Sequence, residues 1–292
     1  MAQGTASVVQ QRRLRADLRR ARDEAGYTQK NVADELGWSL SKMIRLETGA
    51  TATSPGDLRA LIQLYGIVDK PRIDAMLAVT RGRAPEWWDE YREVYPPRFL
   101  DFLAYEDSTS TLRQFQAHQV PGLLQTRDYA RTVFEAYMVT PEQIARGLDV
   151  RMRRQKILTR DNGARFEFML DETVIRRVVG GPTVMIGQFE RLASLNNADD
   201  YPLISIRIVP YSAGVKPATK GSFVIMEFSS DEEDFVVNVE DPNSDVLIRD
   251  NPDTTSNYVE AFLELEEIAL PRAETNEMLG SAIETLRSSL PD

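Results

Sequence analysis

The sequence predicts a mainly α-helical protein with a C-terminal α+β domain, and three patterns support this prediction. In the first 83 residues, apolar side chains recur every three or four positions, in short segments separated by helix-capping residues. Beyond residue 164 the pattern changes to the alternation that is typical of β-strands, and helical spacing returns near the C-terminus. We therefore expect a five-helix module, a helical segment, and a small, largely antiparallel sheet flanked by helices.

The length and composition set the domain organisation. At 292 residues the chain is long enough for two domains, and we expect a five-helix domain over 1–83, a connector over 84–98 and a second domain over 99–292. The sequence has no cysteine, which excludes disulfides and thiolate zinc sites. It also lacks a long apolar run and an apolar signal-peptide core, so we expect a cytoplasmic protein without membrane contact.

The most informative segment, residues 29–47, predicts two short helices joined at Gly37. Glycine tolerates the positive φ that a tight turn requires, and Ala33 is small enough for the two helices to cross closely there. The spacing of the other apolar residues directs them inward: Val32, Leu36, Trp38, Met43 and Leu46. Such spacing is typical of a helix-turn-helix, whose second helix enters the major groove of DNA.

Capping residues delimit the helices of this region. Thr28 and Ser39 are expected to cap the second and third helices, and Gly26 to end the first. Ser54 with Pro55 predicts the start of a fourth helix that ends at Gly66, and a fifth is expected over about 71–80. The apolar faces of the flanking helices hold Leu14, Leu18, Ala21, Ala25, Leu58, Leu61, Ile62, Tyr65, Ile73, Met76 and Leu77.

This segment resembles the XRE family of bacterial regulators, which includes the phage Cro and CI repressors. The resemblance rests on Leu18, Arg19, Gly26, Tyr27, Thr28, Gln29, Val32, Ala33, Leu36, Gly37, Ser39, Ser41, Lys42, Arg45, Leu46, Glu47 and Gly49. It implies that the base edges are contacted by Leu40, Ser41 and Arg45. It also implies that the sugar–phosphate backbone lies near Gln29, Ser39 and Lys42.

The chemistry of these residues agrees with those roles. Arg45 can bond a guanine through two hydrogen bonds, whereas Leu40 can only pack against a thymine methyl group. Leu40 departs from the polar residue that is often found at its position, which leaves open the bases that are read. Glu47 is expected to be structural, either tying helix ends together or pairing with an arginine.

Charge is divided unequally along the chain. Residues 1–83 contain 14 Lys and Arg against 9 Asp and Glu, a net charge of +5, and the remainder contains 21 against 36, a net charge of −15. This asymmetry is typical of an attached nucleic-acid-binding module. Six arginines lie between Arg12 and Arg22; some are expected to pair with nearby acids, and part of the row, including Arg19, is expected to lie along phosphates.

The elements of the second half are predicted from periodicity. Helical spacing extends over about 100–117, and further helices are expected over 126–137, 141–159, 184–195, 254–269 and 274–288. Strands are expected over 165–170, 204–209, 222–228 and 235–239, with the acidic run 231–234 as a hairpin tip. Trp87 and Trp88 are expected to anchor the connector onto a domain rather than to form a ligand cage.

The second half resembles the C-terminal domain of WhiJ-like or antitoxin-like actinobacterial regulators, a domain of unknown biochemical activity. The resemblance rests on the order of motifs at 112–126, 150–158, 170–175, 180–182, 209–214 and 221–223. It implies a regulator of development or specialised metabolism, often encoded beside a small BldB-like protein that is proposed to modulate DNA binding. It implies no catalytic residues.

An enzymatic function is not expected, and neither a cofactor nor a metal ion is predicted. His118 is the sole histidine, so a histidine-based triad would depend on it alone; a buried or loop-fixing histidine is the simpler interpretation. Some phage repressors cleave themselves at Ala-Gly with a serine and a later lysine. Ala213 and Gly214 are present, but no lysine follows Lys220, which excludes that chemistry.

Candidate partner or ligand residues in the second half are Arg151, Arg154 and Tyr211. The first two belong to a basic cluster over 151–156, which we expect to pair with Asp171 and Glu172 rather than with an acidic partner or ligand. Four aromatic residues are expected in the core: Phe115, Tyr129, Phe189 and Tyr211.

Together these features predict a sequence-specific transcriptional regulator, and a repressor is favoured. A single recognition helix covers few bases, so a homodimer on a pseudo-palindromic site in double-stranded DNA is expected. Two alternatives remain open for the second half: an antitoxin-like protein that binds a small partner, and a switch that responds to a small-molecule effector. A regulator of this kind would associate with the nucleoid when bound to DNA.

Overall fold

The computed structural model describes residues 8–80, 86–138, 140–160, 163–214, 221–228, 235–240, 246–248 and 251–290. The chain divides into two compact units, Met1–Ala104 and Tyr105–Asp292. Helices predominate in both units, and the described part of the second also holds a six-stranded sheet. The predicted class, mainly α with a C-terminal α+β domain, is confirmed.

Five helices open the first unit: α1 (Val8–Glu24), α2 (Gln29–Leu36), α3 (Leu40–Thr48), α4 (Pro55–Leu64) and α5 (Lys70–Val79). The side chains that were predicted to point inward are buried or packed against one shared core, with one exception. Ala25 is exposed because α1 ends one residue before it. The five-helix prediction is therefore confirmed, together with its core.

The predicted caps and the predicted turn are also present. The side-chain oxygens of Thr28, Ser39 and Ser54 each accept a hydrogen bond from the backbone N–H three residues later. These bonds satisfy donors that the first turn of a helix leaves without partners. Gly37 adopts a φ of 63°, in the left-handed region that favours glycine, and so turns the chain from α2 into α3.

A row of aromatic residues follows in the first unit. A 3₁₀ helix, Trp87–Tyr91, precedes α6 (Pro97–Ser108). The rings of Trp87 and Trp88 meet edge to face with centroids 5.5 Å apart, and Trp88 is buried. Burial of Trp88 agrees with an anchoring role. Residues 81–85, which include the start of the predicted connector (84–98), lie outside the described residues, and the boundaries of the connector remain a prediction.

The second unit is organised around a mixed sheet with the strand order β3-β2-β1-β4-β5-β6. Its strands are β1 (Thr111–Gln116), β2 (Arg165–Asp171), β3 (Ile204–Val209), β4 (Phe223–Glu227), β5 (Phe235–Val239) and β6 (Val246–Ile248). The β1–β2 and β2–β3 pairs are parallel, and the β1–β4, β4–β5 and β5–β6 pairs are antiparallel. The sheet is thus antiparallel in three of its five described pairs.

The helix that was expected over 100–117 is wrong in its second half. The helix ends at Ser108, and residues 111–116 form β1, which lies in the middle of the sheet between β2 and β4. The apolar residues of β1, Leu112 and Phe115, lie three positions apart, which is helical spacing, because glutamines occupy the buried positions 114 and 116. The acidic run 231–234, expected as a hairpin tip, lies outside the described residues.

Helices cover both sides of the sheet. The helices of this unit are α7 (Arg127–Tyr137), α8 (Pro141–Arg154), α9 (Thr173–Arg176), α10 (Pro182–Leu195), α11 (Pro252–Ile268) and α12 (Arg272–Ser288). Phe262 and Leu265 of α11 pack in one core with Phe115, Phe223 and Ile225 of the sheet. The helix predicted over 141–159 ends at Arg154 and continues as a 3₁₀ helix to Thr159.

Side chains close the outer edge of β3. Asn196, which is fully buried, accepts a hydrogen bond from the N–H of Ile206 at 2.8 Å, and the Thr275 hydroxyl accepts one from the N–H of Ile208. The Arg272 guanidinium donates to the carbonyl of Ile204. Backbone groups at a sheet edge need such partners when they are buried. These side chains therefore take the place of a seventh strand.

We predict that Asn196→Ala lowers the free energy of unfolding by about 1–3 kcal/mol, because it leaves the buried N–H of Ile206 without an acceptor. Urea unfolding of the full chain measures this loss. Asn257→Ala is the matched control, since Asn257 is exposed on α11; it should change stability by less than about 0.5 kcal/mol. Equal losses in the two variants would contradict the edge-closing role.

Candidate nucleic-acid interface

One side of α3 is exposed and presents five side chains. They are Leu40, Ser41, Ile44, Arg45 and Thr48, which fall on one stripe because an α-helix has 3.6 residues per turn. The opposite side is buried and holds Met43, Leu46 and Glu47. All three predicted base-reading residues lie on the exposed stripe. Ile44 and Thr48 share it and were missed, although their i+4 and i+8 spacing from Leu40 places them there.

The side chain of Arg45 is exposed on α3. Within the part of the chain that the structure describes, its guanidinium has no hydrogen-bond or ion-pair partner. Its five N–H donors form a fork that matches the two acceptors on the major-groove edge of guanine. The geometry of α3 therefore supports the base-reading role that was predicted for Arg45.

A buried carboxylate fixes the position of α3. Glu47 is only 5% exposed; its Oε1 accepts a hydrogen bond from Arg22 Nε at 2.7 Å, and its Oε2 accepts one from Gln29 Nε2 at 2.6 Å. Arg22 also donates to the carbonyl of Tyr27. Burial alone would lower the pKa of Arg22, but its hydrogen bond to Glu47 and the charge of that carboxylate outweigh this effect and raise it. The structural role expected for Glu47 is confirmed.

The same carboxylate acts on two neighbours. Burial raises the pKa of Tyr65, and the charge of Glu47 raises it further, so the Tyr65 hydroxyl stays neutral. Gln29 is the first residue of α2, and its amide is held in place by Glu47. The amide nitrogen has a second proton, which remains suited to donating to a phosphate oxygen. Gln29 is thus oriented before any DNA arrives.

Lys42 is less available than its predicted role suggests. Its Nζ lies 2.6 Å from Oδ1 of Asp57 and 3.9 Å from the centre of the Trp38 ring. Burial raises the pKa of Asp57, but hydrogen bonds from Lys42 and Ser54 outweigh this effect and lower it. Lys42 would have to share or leave this pair to reach a phosphate. The hydroxyl of Ser39 accepts from the N–H of Lys42 and can still donate outward.

The arginine row of α1 divides into different roles. Arg22 pairs with Asp23 as well as with Glu47, so part of the row forms ion pairs with nearby acids, as expected. Arg15 packs against Gly49, at the C-terminal cap of α3, where an added Cβ would lie 2.7 Å from its Cζ. Gly49 also has a φ of 78°. Arg22 and Arg15 therefore support α3, and the phosphate contact expected of Arg19, which is half-buried, remains a prediction.

The basic cluster of the second unit pairs within the unit, although not with the expected acids. Arg154 donates to both carboxylate oxygens of Glu106, at 2.8 and 2.7 Å, and both side chains are nearly buried. Glu172 instead pairs with Arg176, and Asp171 accepts from the backbone of Thr173. The expected pairing with Asp171 and Glu172 is therefore wrong, because Glu106 of α6 lies closer in the fold.

Arg151, a candidate partner residue, is bound within the fold, whereas Tyr211, which was expected in the core, is exposed. The Arg151 guanidinium donates to Gln125 at 2.7 Å and lies over the ring of Phe134, so it is tied to the unit. Tyr211 was expected in the core and is 57% exposed. Its backbone N–H donates to the buried Glu172, which leaves the ring outside the core. Phe115, Tyr129 and Phe189 are buried as expected.

Glutamines, not His118, fix the loop that follows β1. His118 is exposed, so the expectation of a buried histidine is wrong. Gln125 donates to the carbonyl of Val120, Gln155 to that of Gly122, and Gln188 to that of Leu124. Sequence reasoning missed these three residues, because an amide side chain carries no periodic signal and two of them lie on distant elements.

Comparisons with known families match two separate segments of the chain. A family model described as a helix-turn-helix domain matches residues 13–76, and one described as a domain of unknown function (DUF5753) matches residues 99–281. The comparisons with curated proteins and with solved structures gave no match. The first match includes the exposed stripe of α3, and at this broad level the protein is a DNA-binding regulator. Among the described helices, none combines the length and the apolar character needed to span a bilayer.

We predict that Glu47→Ala lowers the free energy of unfolding by about 3 kcal/mol, the lower end for breaking a buried ion pair, because Arg22 keeps the Tyr27 carbonyl. Urea unfolding followed by tryptophan fluorescence measures the loss. Glu35→Ala, on the exposed side of α2, removes the same charge and should cost less than about 0.5 kcal/mol. A loss no greater than that of the control would show that the pair does not hold α3.

Proposed function

We propose that this chain, which belongs to the DUF5753 family, is a sequence-specific transcriptional regulator. The domain of unknown function covers more than half of the chain, and a helix-turn-helix domain precedes it. We further propose that the protein binds DNA through its N-terminal unit and represses the transcription of developmental or specialised-metabolism genes. The DNA it acts on would be chromosomal, in the cytoplasm. No step of this function requires catalysis.

The observation that carries the proposal is the exposed stripe of α3. Arg45 projects from it without a partner in the described part of the chain, while Glu47, on the buried side of the same helix, is tied to Arg22 and Gln29. An exposed arginine on a helix that is fixed from behind is suited to base reading, because the donor fork meets the groove at a defined angle. The net charge of +5 over residues 1–83 favours approach to the phosphates.

We propose that the protein binds as a homodimer. One recognition helix reads too few base pairs for a unique site, whereas two helices on a pseudo-palindrome double the number that is read. The half-sites would lie about one helical turn, or 34 Å, apart. Selection of bound sequences from a random DNA pool by the full-length protein tests this directly. An enriched inverted repeat is expected, and an enriched single half-site would contradict dimeric reading.

For the second unit we propose regulation by a small BldB-like partner protein. Residues 105–292 contain 19 Lys and Arg against 31 Asp and Glu, and this net charge of −12 supports the proposal, since it disfavours DNA contact and leaves the unit for other partners. Tyr211, exposed beside the Glu172–Arg176 pair, is the candidate partner residue that the fold leaves most open. Arg151 and Arg154 are already engaged with Gln125 and Glu106.

Two alternatives for the second unit give different outcomes. An antitoxin-like protein would form a stable complex with the product of a small adjacent reading frame and would neutralise its toxicity. A ligand-responsive switch would be stabilised against heat by a metabolite and would then release its operator. Co-expression with the adjacent gene product, followed by operator binding with and without it, separates these cases from the proposed partner regulation.

We predict that Arg45→Ala weakens binding to the selected operator by about 1–3 kcal/mol and changes binding to random DNA much less, because base contacts carry the specificity. Titration of both DNAs measures the difference. Arg146→Ala, which removes an exposed arginine of α8, is the matched control and should leave both affinities unchanged. An equal loss on operator and random DNA would refute base reading by Arg45.

We predict that Arg19→Ala weakens binding to every sequence alike and reduces the slope of log affinity against log salt by about one, because a phosphate contact releases about one counterion. Titrations at several salt concentrations measure the slope. Arg146→Ala should again leave it unchanged. If Arg19→Ala lowers affinity only for the operator, Arg19 does not act through the phosphate backbone.

A further inference from the structure

A half-buried arginine on α10 has no opposite charge beside it in the described part of the chain. Of the five N–H donors of Arg191, one has a partner there, since Nη2 donates to Oε1 of Gln155 at 3.1 Å. The Nε of Arg191 is buried without a hydrogen-bond partner. The carboxylate of the adjacent Glu190 pairs with Arg287 instead. The guanidinium of Arg191 is therefore withdrawn from water and only partly hydrogen-bonded.

This arrangement disfavours folding unless an anion is added. Burial lowers the pKa of Arg191, and the nearby hydroxyl of Tyr201 opposes this shift only in part. Other arginines of the unit are better satisfied: Arg154 donates to both carboxylate oxygens of Glu106, and Arg207 donates to three backbone carbonyls. A cation that leaves water without a counter-charge destabilises the folded protein. Arg191 is thus better suited to a ligand than to support of the fold.

The acceptor that Arg191 does have belongs to the group of glutamines that fixes the loop over 120–126. Gln155 donates through Nε2 to two backbone carbonyls of this loop, at 3.0 and 2.7 Å, while its Oε1 accepts from Arg191. A second guanidinium, that of Arg151, donates to Oε1 of Gln125 at 2.7 Å. In these bonds two positive charges meet neutral amide oxygens beside one loop, and a negatively charged acceptor would bind them more strongly.

We propose that Arg191 binds the oxyanion of a small molecule, a carboxylate or a phosphate group, beside the loop over 120–126. The oxygens of either group match the donor fork of a guanidinium. An oxyanion at Arg191 competes with Gln155 for Nη2, so its binding acts on the hydrogen bonds that fix the loop. This inference goes beyond the proposed function, because it assigns a ligand class to the second unit and does not depend on DNA binding.

Replacement of Arg191 by glutamine separates a ligand site from a structural residue. Arg154→Gln serves as the structural comparison, because it leaves the buried carboxylate of Glu106 without its partner and should lower the urea midpoint strongly. Arg191→Gln leaves no carboxylate behind, so the midpoint of the ligand-free full-length protein should stay the same or rise. Far-UV circular dichroism follows the unfolding. A midpoint lowered as far as that of Arg154→Gln would show that Arg191 is structural and would overturn the inference.

Binding is measured by calorimetric melting of the full-length protein in sodium acetate, benzoate, phosphate or phenyl phosphate, each compared with chloride at equal ionic strength. We expect at least one of these anions to raise the melting temperature of the wild type. Arg191→Gln should bind that anion about tenfold more weakly, the value of one hydrogen bond to a charged group. Arg146→Gln removes the same charge from an exposed position of α8 and should bind as the wild type does. Benzoate and phenyl phosphate share a ring, so a difference between them identifies the preferred acid group.

The outcomes separate the inference from the proposed function. If none of the four anions protects the wild type beyond chloride, the oxyanion site is overturned, while a protein that still enriches an operator remains a regulator. Equal protection of the wild type and Arg191→Gln also overturns the site, because the anion then binds elsewhere. If an anion protects the wild type through Arg191 but no DNA sequence is enriched, the oxyanion site stands and the proposed function fails.

Discussion

The exposed stripe of α3 depends on one buried interaction, the ion pair between Glu47 and Arg22. A carboxylate that is 5% exposed costs several kcal/mol unless it is paired and hydrogen-bonded. Arg22 from α1 and Gln29 from α2 supply the donors for its two oxygens, so three helices meet at a single carboxyl group. The angle at which α3 leaves the core, and with it the direction of Arg45, is set by that meeting point. A change there is expected to displace the whole exposed stripe without replacing any of its side chains.

The position of α3 is fixed by its buried side, whereas its exposed side chains differ in how much entropy they lose when they are ordered. Ordering an exposed arginine costs up to about 2 kcal/mol of side-chain entropy, whereas leucine or isoleucine costs about 0.5–1 kcal/mol. The stripe of α3 therefore combines one side chain that can make directional hydrogen bonds, Arg45, with two apolar side chains that cost less to order, Leu40 and Ile44. Lys42 differs from Arg45, because its contacts with Asp57 and Trp38 already order its side chain. The phosphate contact predicted for Lys42 would have to compete with its ion pair to Asp57.

Local signals in the sequence were sufficient for the first unit but not for the second. Caps such as Ser39 and Ser54 act within three residues, and the turn at Gly37 depends on one glycine, so both can be recognised without knowledge of the fold. β1 escaped prediction because buried glutamines take two of its positions and leave its two apolar residues at helical spacing, and β6 because three residues carry no period. The partner of Arg154 could not be predicted either. Glu106 is 48 residues away, and only the folded chain brings the two together.

The edge of the sheet limits how a partner can engage the second unit. The outward groups of β3 are bonded to Asn196, Thr275 and Arg272, so a strand from another protein cannot pair with that edge unless it displaces these side chains. The backbone N–H of Leu270 also donates to Ile208 there. A partner that approaches this side therefore meets side chains and helices rather than a free strand. On this side the proposed partner would meet the unit through surface shape and charge, and the net charge of −12 over residues 105–292 would favour a partner with a basic surface.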